Sequence, residues 1–179
     1  MAAAQPAAPV QISGHTIITT NKHDHSFQTV RIERTSPPEF ICSLLEIQKD
    51  EQVVVVEQVQ RVRGEPRYVH RSYLPLRIGR PLLDMEDGHL PLFDMLITLC
   101  RQTPVLGRER LSPIVLTGED AALLGLPVGM LAQRMVGVVL DPDDQVIEAH
   151  ELVIRADHFK LDFEFNLAPS RAADSSDKL

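Results

Sequence analysis

At 179 residues the chain fits one domain with tails, and 44% hydrophobic content with six Phe and no Trp gives it a core built mainly from Leu, Val and Ile. A formal net charge of −7 without any Lys/Arg run argues against a nucleic-acid surface, which draws most of its affinity from clustered cations. There is no secretory apolar segment, no stretch near the ~18 residues of a spanning helix, and two cysteines, Cys42 and Cys100, in neither a CxxC nor a multi-bridge pattern; a cytoplasmic protein with reduced thiols and no membrane contact is expected.

In chain order, residues 1–26 form an Ala/Pro-rich tail and a loop. Met1–Val10 is expected to be disordered, Ile12–Thr20 alternates weakly as an edge strand does, and Lys22–Ser26 is polar. His23 and His25 flank Asp24 in that loop, but with no third ligand placed beside them they read as solvated, so we assign no metal and no cofactor. Ser36-Pro37-Pro38-Glu39 combines a capping serine, an early proline and a glutamate three residues after the cap, and Phe40, Ile41, Leu44 and Leu45 follow at helical spacing.

Gln52–Pro75 is the stretch around which the rest is organised. Val53–Val56 and then Glu57-Gln58-Val59-Gln60 read as a strand buried on both faces at its start and alternating towards the turn Arg63-Gly64-Glu65; Tyr68–Leu74 returns. Gln58, Gln60, His70 and Ser72 then share a sheet with the valines. Two readings are open: a half-buried ligand site, or a hairpin with one wet face.

Pro75–Gly88 is irregular, and Pro91 opens a helix whose apolar stripe is Leu92, Leu96 and Leu99 with Phe93, Ile97 and Cys100. A strand at Arg108–Leu116 precedes Thr117-Gly118-Glu119-Asp120, a capping-box variant for a short helix, Ala121–Leu124, that ends at Gly125. Met130–Leu140, an acidic turn and Val146–Ile154 form a second long hairpin, and residues 166–179 are a polar tail.

The two hairpins repeat one another. Leu44-Leu45-x-Ile47, a turn, a long strand and a return strand are matched by Leu123-Leu124-x-Leu126, a turn, a long strand and a return strand. Two helix-plus-hairpin halves, neither able to bury its apolar face alone, predict an α+β fold: an antiparallel sheet of about six strands, with short helices on one face and a pocket on the other or where the halves meet.

Leu44-Leu45-x-Ile47 leading into Val53-Val54-x-Val56, Gly64-Glu65-Pro66, Tyr73-Leu74-Pro75, Leu92-Phe93-x-x-Leu96, Leu123-Leu124-Gly125-Leu126-Pro127-x-Gly129, Ile147-Glu148 and Arg155-x-Asp157-x-Phe159 together resemble the UTRA domain. That is the effector-binding domain of HutC-type GntR-family transcription regulators, similar in fold to chorismate pyruvate-lyase. The resemblance covers 27–165 and implies a small-molecule sensor that dimerises. It also implies an N-terminal winged helix-turn-helix; the residues before the match carry neither amphipathic helices nor a basic patch, so no direct DNA binding is expected of this chain alone.

Members often carry Arg-x-Arg on the strand before the Gly-Glu-Pro turn. Gln58 and Gln60 hold those places here, with Arg61 and Arg63 three residues on, and either pair can face the ligand. His70 replaces a common Glu and Pro91 a common Ser, which weighs against a phosphosugar. Glu148 and Arg155 match and point to a polar metabolite bearing hydroxyl or amine groups. The expected ligand-binding set is Gln58, Gln60, Arg61, Arg63, His70, Tyr73, Glu148 and Arg155, with no catalytic residue. For Arg155 the alternative is a salt bridge to Asp157 or Glu148, and for Tyr73 a packed aromatic.

The rival function is a chorismate pyruvate-lyase-like enzyme with Glu151 as its acid. Its strand arginine would fall at Val56, which leaves the substrate carboxylate without a bidentate partner.

Overall fold

The computed structural model describes residues 25–85 and 90–158. The tail before residue 25, with its expected strand at Ile12–Thr20, the end of the irregular stretch at Gly88, and the tail at 166–179 lie outside the described residues. The first half runs β1 (His25–Thr35), α1 (Glu39–Leu45), β2 (Val53–Val62) and β3 (Glu65–Pro75). A linking segment follows, with α2 (Leu76–Gly79), a 3-10 turn at Arg80–Asp84 and α3 (Leu92–Thr98). The second half is β4 (Leu106–Val115), α4 (Gly118–Leu124), β5 (Leu131–Leu140) and β6 (Val146–Arg155), closed by a 3-10 turn at Ala156–His158.

The six strands form one sheet in the order β1-β2-β3-β6-β5-β4, with every neighbouring pair antiparallel. This is the expected α+β architecture, but its helices lie on both faces rather than one, and its repeat is larger than helix plus hairpin: each half begins with an outer strand. β1 does not read as a strand from sequence because a register shift between Thr29 and Arg31 breaks its alternation, and six of its eleven residues are exposed and none buried. His25 and Ser26, expected in a loop, belong to it.

α1 starts at Glu39 with Pro38 before it in an extended conformation, rather than at a cap made by Ser36. A residue preceding proline is pushed out of the helical region, so both Ser36 and Pro37 are held extended and the helix opens only after Pro38. The two repeat helices end alike. Glu46 and Gly125 are left-handed, and the next amide reaches back, Ile47 N–H to Cys42 O at 3.1 Å and Leu126 N–H to Ala121 O at 2.9 Å. Part of the segment expected to be irregular after Pro75 is helical, as α2 and its 3-10 turn show.

Strand alternation sorts the core. On one face Val53, Val55, Tyr73, Val138, Leu140 and Ala149 pack against Ile41 and Leu45 of α1, while Val59, Val69, Ala132 and Val153 pack against Ala121 and Leu124 of α4. The opposite face carries Val54, Val56, Leu74, Val139 and Ile147 against Ile78, Leu82, Leu92, Met95 and Leu96 of the linking segment. All five sheet positions of that second cluster sit at one end of the sheet. The middle of this face is polar.

Candidate functional site

Register assembles the polar patch. Gln58 lies opposite His70, Ser72 opposite His150, Glu148 opposite Val139, and Gly137 between Glu109 and His150. Because alternate residues share a face, Gln58, Gln60, His70, Ser72, Glu109, Glu148 and His150 all lie on the side of Val54 and Val56, beyond the cover of α2 and α3. His70 and His150 each stand five residues before the end of their strands, so they are equivalent positions in the two halves. Their rings meet edge to face with centroids 5.6 Å apart.

Glu148 is fully buried between them. Its Oε1 is 3.5 Å from His70 Nε2 and 3.7 Å from His150 Nδ1, and Ser72 lies beside the same carboxylate. Burial alone would raise the Glu148 pKa; the two imidazoles and Ser72 prevail and hold it below the usual carboxylate range. Burial likewise disfavours a charged His150, but its hydrogen bond to Glu109 and the Glu148 charge outweigh that and raise its pKa. Glu109 reaches His150 Nε2 at 2.9 Å from two strands away. Gly137 makes this possible: a Cβ there would overlap the Glu109 carboxylate. Beside the cluster, Gln58 donates to Thr29 Oγ1 at 3.1 Å and to Leu90 O at 2.8 Å, and Gln60 meets His25 Nδ1 at 3.0 Å.

Of the residues expected from sequence, Gln58, Gln60, His70 and Glu148 are brought to this face. Tyr73 lies on the helix-covered face in the α1 cluster. Arg155 also lies there, paired with Ala132, and it donates to Asp157 at 3.1 and 2.7 Å and to Pro66 O at 3.4 Å. Arg61 bonds Gln28 and Gly64 O, and Arg63 occupies the turn with φ 52°. His150, Glu109 and Gly137 were not in the expected set. The repeat itself carried a signal for His150, which is the counterpart of His70.

The helix-covered face holds a separate belt of charge. Fully buried Glu57 takes Arg31 Nε at 2.8 Å and Arg71 Nε at 2.6 Å, and Arg71 continues to Asp120 at 2.7 Å. Glu151 is paired with Arg134 at 2.5 Å, and that guanidinium lies 4.9 Å from the centre of the Phe40 ring. The glutamate of the lyase reading is thus on the opposite face from the His70–Glu148–His150 cluster, and Val56 is in the core.

The UTRA domain model matches residues 20–160. The chain belongs to the UTRA domain family. UTRA domains are ligand-binding effector domains of transcription regulators, and solved structures share this fold. The effector domain of PhnF from Mycobacterium smegmatis superposes with a TM-score of 0.71 at 18% identity, covering 79% of this chain and 87% of that one. The C-terminal domain of the histidine utilization repressor from Pseudomonas syringae pv. tomato str. DC3000 gives 0.69 at 12% identity, covering 79% and 99%. YydK from Bacillus subtilis, a possible transcriptional regulator, gives 0.69 at 15% identity, covering 80% of this chain and 63% of that one. The chain spans less than two thirds of YydK and 64% of whole PhnF. No curated protein sequence matches. Among the described residues of this UTRA domain, no helix is long and apolar enough to cross a membrane.

Proposed function

We propose that this UTRA domain, over 27–165, senses a small polar metabolite in the cytoplasm as a homodimer and reports it within a transcription regulator of the HutC-type branch of the GntR family. One observation carries the reading. His70 Nε2, Ser72 Oγ, both oxygens of Glu148 and His150 Nδ1 are buried in one cluster and contact one another, with separations from Glu148 to the two imidazoles, 3.5 and 3.7 Å, that are long for hydrogen bonds. Buried polar groups are nearly always well satisfied, and five such atoms held by contacts this long suit a polar occupant among them. A carboxylate, two imidazoles and the nearby amides of Gln58 and Gln60 suit hydroxyl or amine groups. Arg155, Tyr73, Arg61 and Arg63 have other partners or sit on other surfaces and are assigned no ligand contact.

Dimerisation is supported by β4, an outer strand exposed along most of its length that presents Leu106, Leu111 and Val115 next to exposed Leu131. A non-catalytic role is supported by Glu151, which is committed to Arg134 on the helix-covered face. A thermal-shift screen of polar metabolites tests the proposal: a ligand at 100 times its Kd adds about 2.7 kcal/mol of stability. A hit that stabilises the wild type and Arg155→Met alike, and Glu148→Gln not at all, is expected. Chorismate turnover lost on Glu151→Gln would overturn the sensor in favour of the lyase.

A further inference from the structure

We propose that His70 Nε2, Glu148 and His150 Nδ1 form a binding site for one divalent transition-metal ion of the zinc class. The inference goes beyond effector sensing and stands without it. The three ligand atoms lie within 4.8 Å of one another. The separations to Glu148, 3.5 Å from His70 and 3.7 Å from His150, are long for hydrogen bonds. They lie near the about 3.0–3.4 Å that separates neighbouring ligands when each is about 2.0–2.1 Å from one ion.

Donor chemistry agrees. Glu109 accepts from His150 Nε2, so in the neutral ring the lone pair is on Nδ1, turned towards the buried carboxylate. Two acceptors facing one another in the interior need a cation between them. An ion held by both supplies it. Glu109 then acts as the carboxylate behind a metal-bound histidine, which fixes tautomer and ring orientation, and Gly137 gives it passage. Two imidazoles and one carboxylate suit zinc, cobalt, nickel or ferrous iron rather than magnesium or calcium, and three protein ligands leave a position open beside Ser72.

The test uses the full chain, stripped with a chelator that is then removed. Equilibrium dialysis against zinc is expected to leave one ion per chain, and cobalt to give a visible d–d absorption band that zinc bleaches. His150→Asn and Glu148→Gln should abolish stoichiometric binding. Glu109→Gln, a half-exposed position where folding is checked by circular dichroism, should weaken it about 10–100-fold without removing a ligand. His23→Asn should change nothing. Absence of bound zinc and of the cobalt band would overturn the site, as would an ion that His150→Asn and Glu109→Gln retain and His23→Asn loses. Metal binding without any metabolite hit refutes the sensor alone; a metabolite hit without metal binding refutes the metal alone.

Discussion

Replacing Gly137 with alanine puts a methyl group where Glu109 crosses β5. In an ordinary strand interior, alanine in place of glycine gains about 0.5–1 kcal/mol. Here the new Cβ would overlap Glu109 Oε2 and the carbonyl oxygen of Arg108, and it would stand 2.6 Å from Glu109 Cδ. The carboxylate is half-exposed and can swing into solvent, which breaks its bond to His150; a charge-assisted hydrogen bond is worth about 1.5–3 kcal/mol, and the lower end applies because solvent screens this one. The Arg108 carbonyl belongs to the β4 ladder and cannot swing away, so the strands must part, at the about 1–3 kcal/mol typical of overpacking. A net loss of about 2–4 kcal/mol is expected in urea denaturation. Coupling to Glu109 is the sharper test. Gly137→Ala combined with Glu109→Ala should fall short of the sum of the single losses by about 1 kcal/mol or more, since both remove the same bond. A neutral Gly137→Ala, or strictly additive losses, would refute the passage of Glu109 over Gly137.

Arg71→Met should cost about 3–5 kcal/mol in urea denaturation, because it strips buried Glu57 of one of its two guanidinium partners; a loss below about 1 kcal/mol would mean that Arg31 alone suffices. Arg155→Met should cost less than about 1 kcal/mol, since its partner Asp157 is solvent-exposed, and a larger loss would mean that Arg155 anchors the end of β6. The chain has two tyrosines: burial pushes Tyr68 up to about 12 and raises Tyr73, where Glu151 adds to the effect of burial. Both folded values exceed the unfolded one, so the stability they contribute is complete below pH about 10 and is lost above it, for Tyr68 as pH climbs towards about 12. Absorbance at phenolate wavelengths should therefore stay flat through pH 10 in folded protein, and a normal tyrosine step there would contradict the burial.

Much of this fold is local in origin and so was legible in sequence. The β2–β3 hairpin announces itself through four valines and a Gly-Glu-Pro turn, and the repeated Leu-Leu-x-apolar helix ends mark two halves. β1 escaped because its irregularity at Thr29/Arg31 spoils the period of two. Half of the site was legible for the same local reason, Gln58 being two residues from Gln60 and opposite His70. Alternation also separates Tyr73 from His70, three residues away, and Arg155 from Glu148, seven residues away; the opposite faces follow from parity within each strand. The meeting of Glu109, Gly137 and His150 depends on which strands lie side by side and in what register. No local pattern encodes that.

Backbone amide shifts followed by NMR while a stabilising metabolite is titrated into the full chain test the sensing site most directly. The largest changes are expected on β3 and β6 around His70, Ser72, Glu148 and His150, and to be absent in Glu148→Gln. Changes confined to the helix-covered face around Tyr73, Glu151 and Arg155, or undiminished in Glu148→Gln, would contradict it.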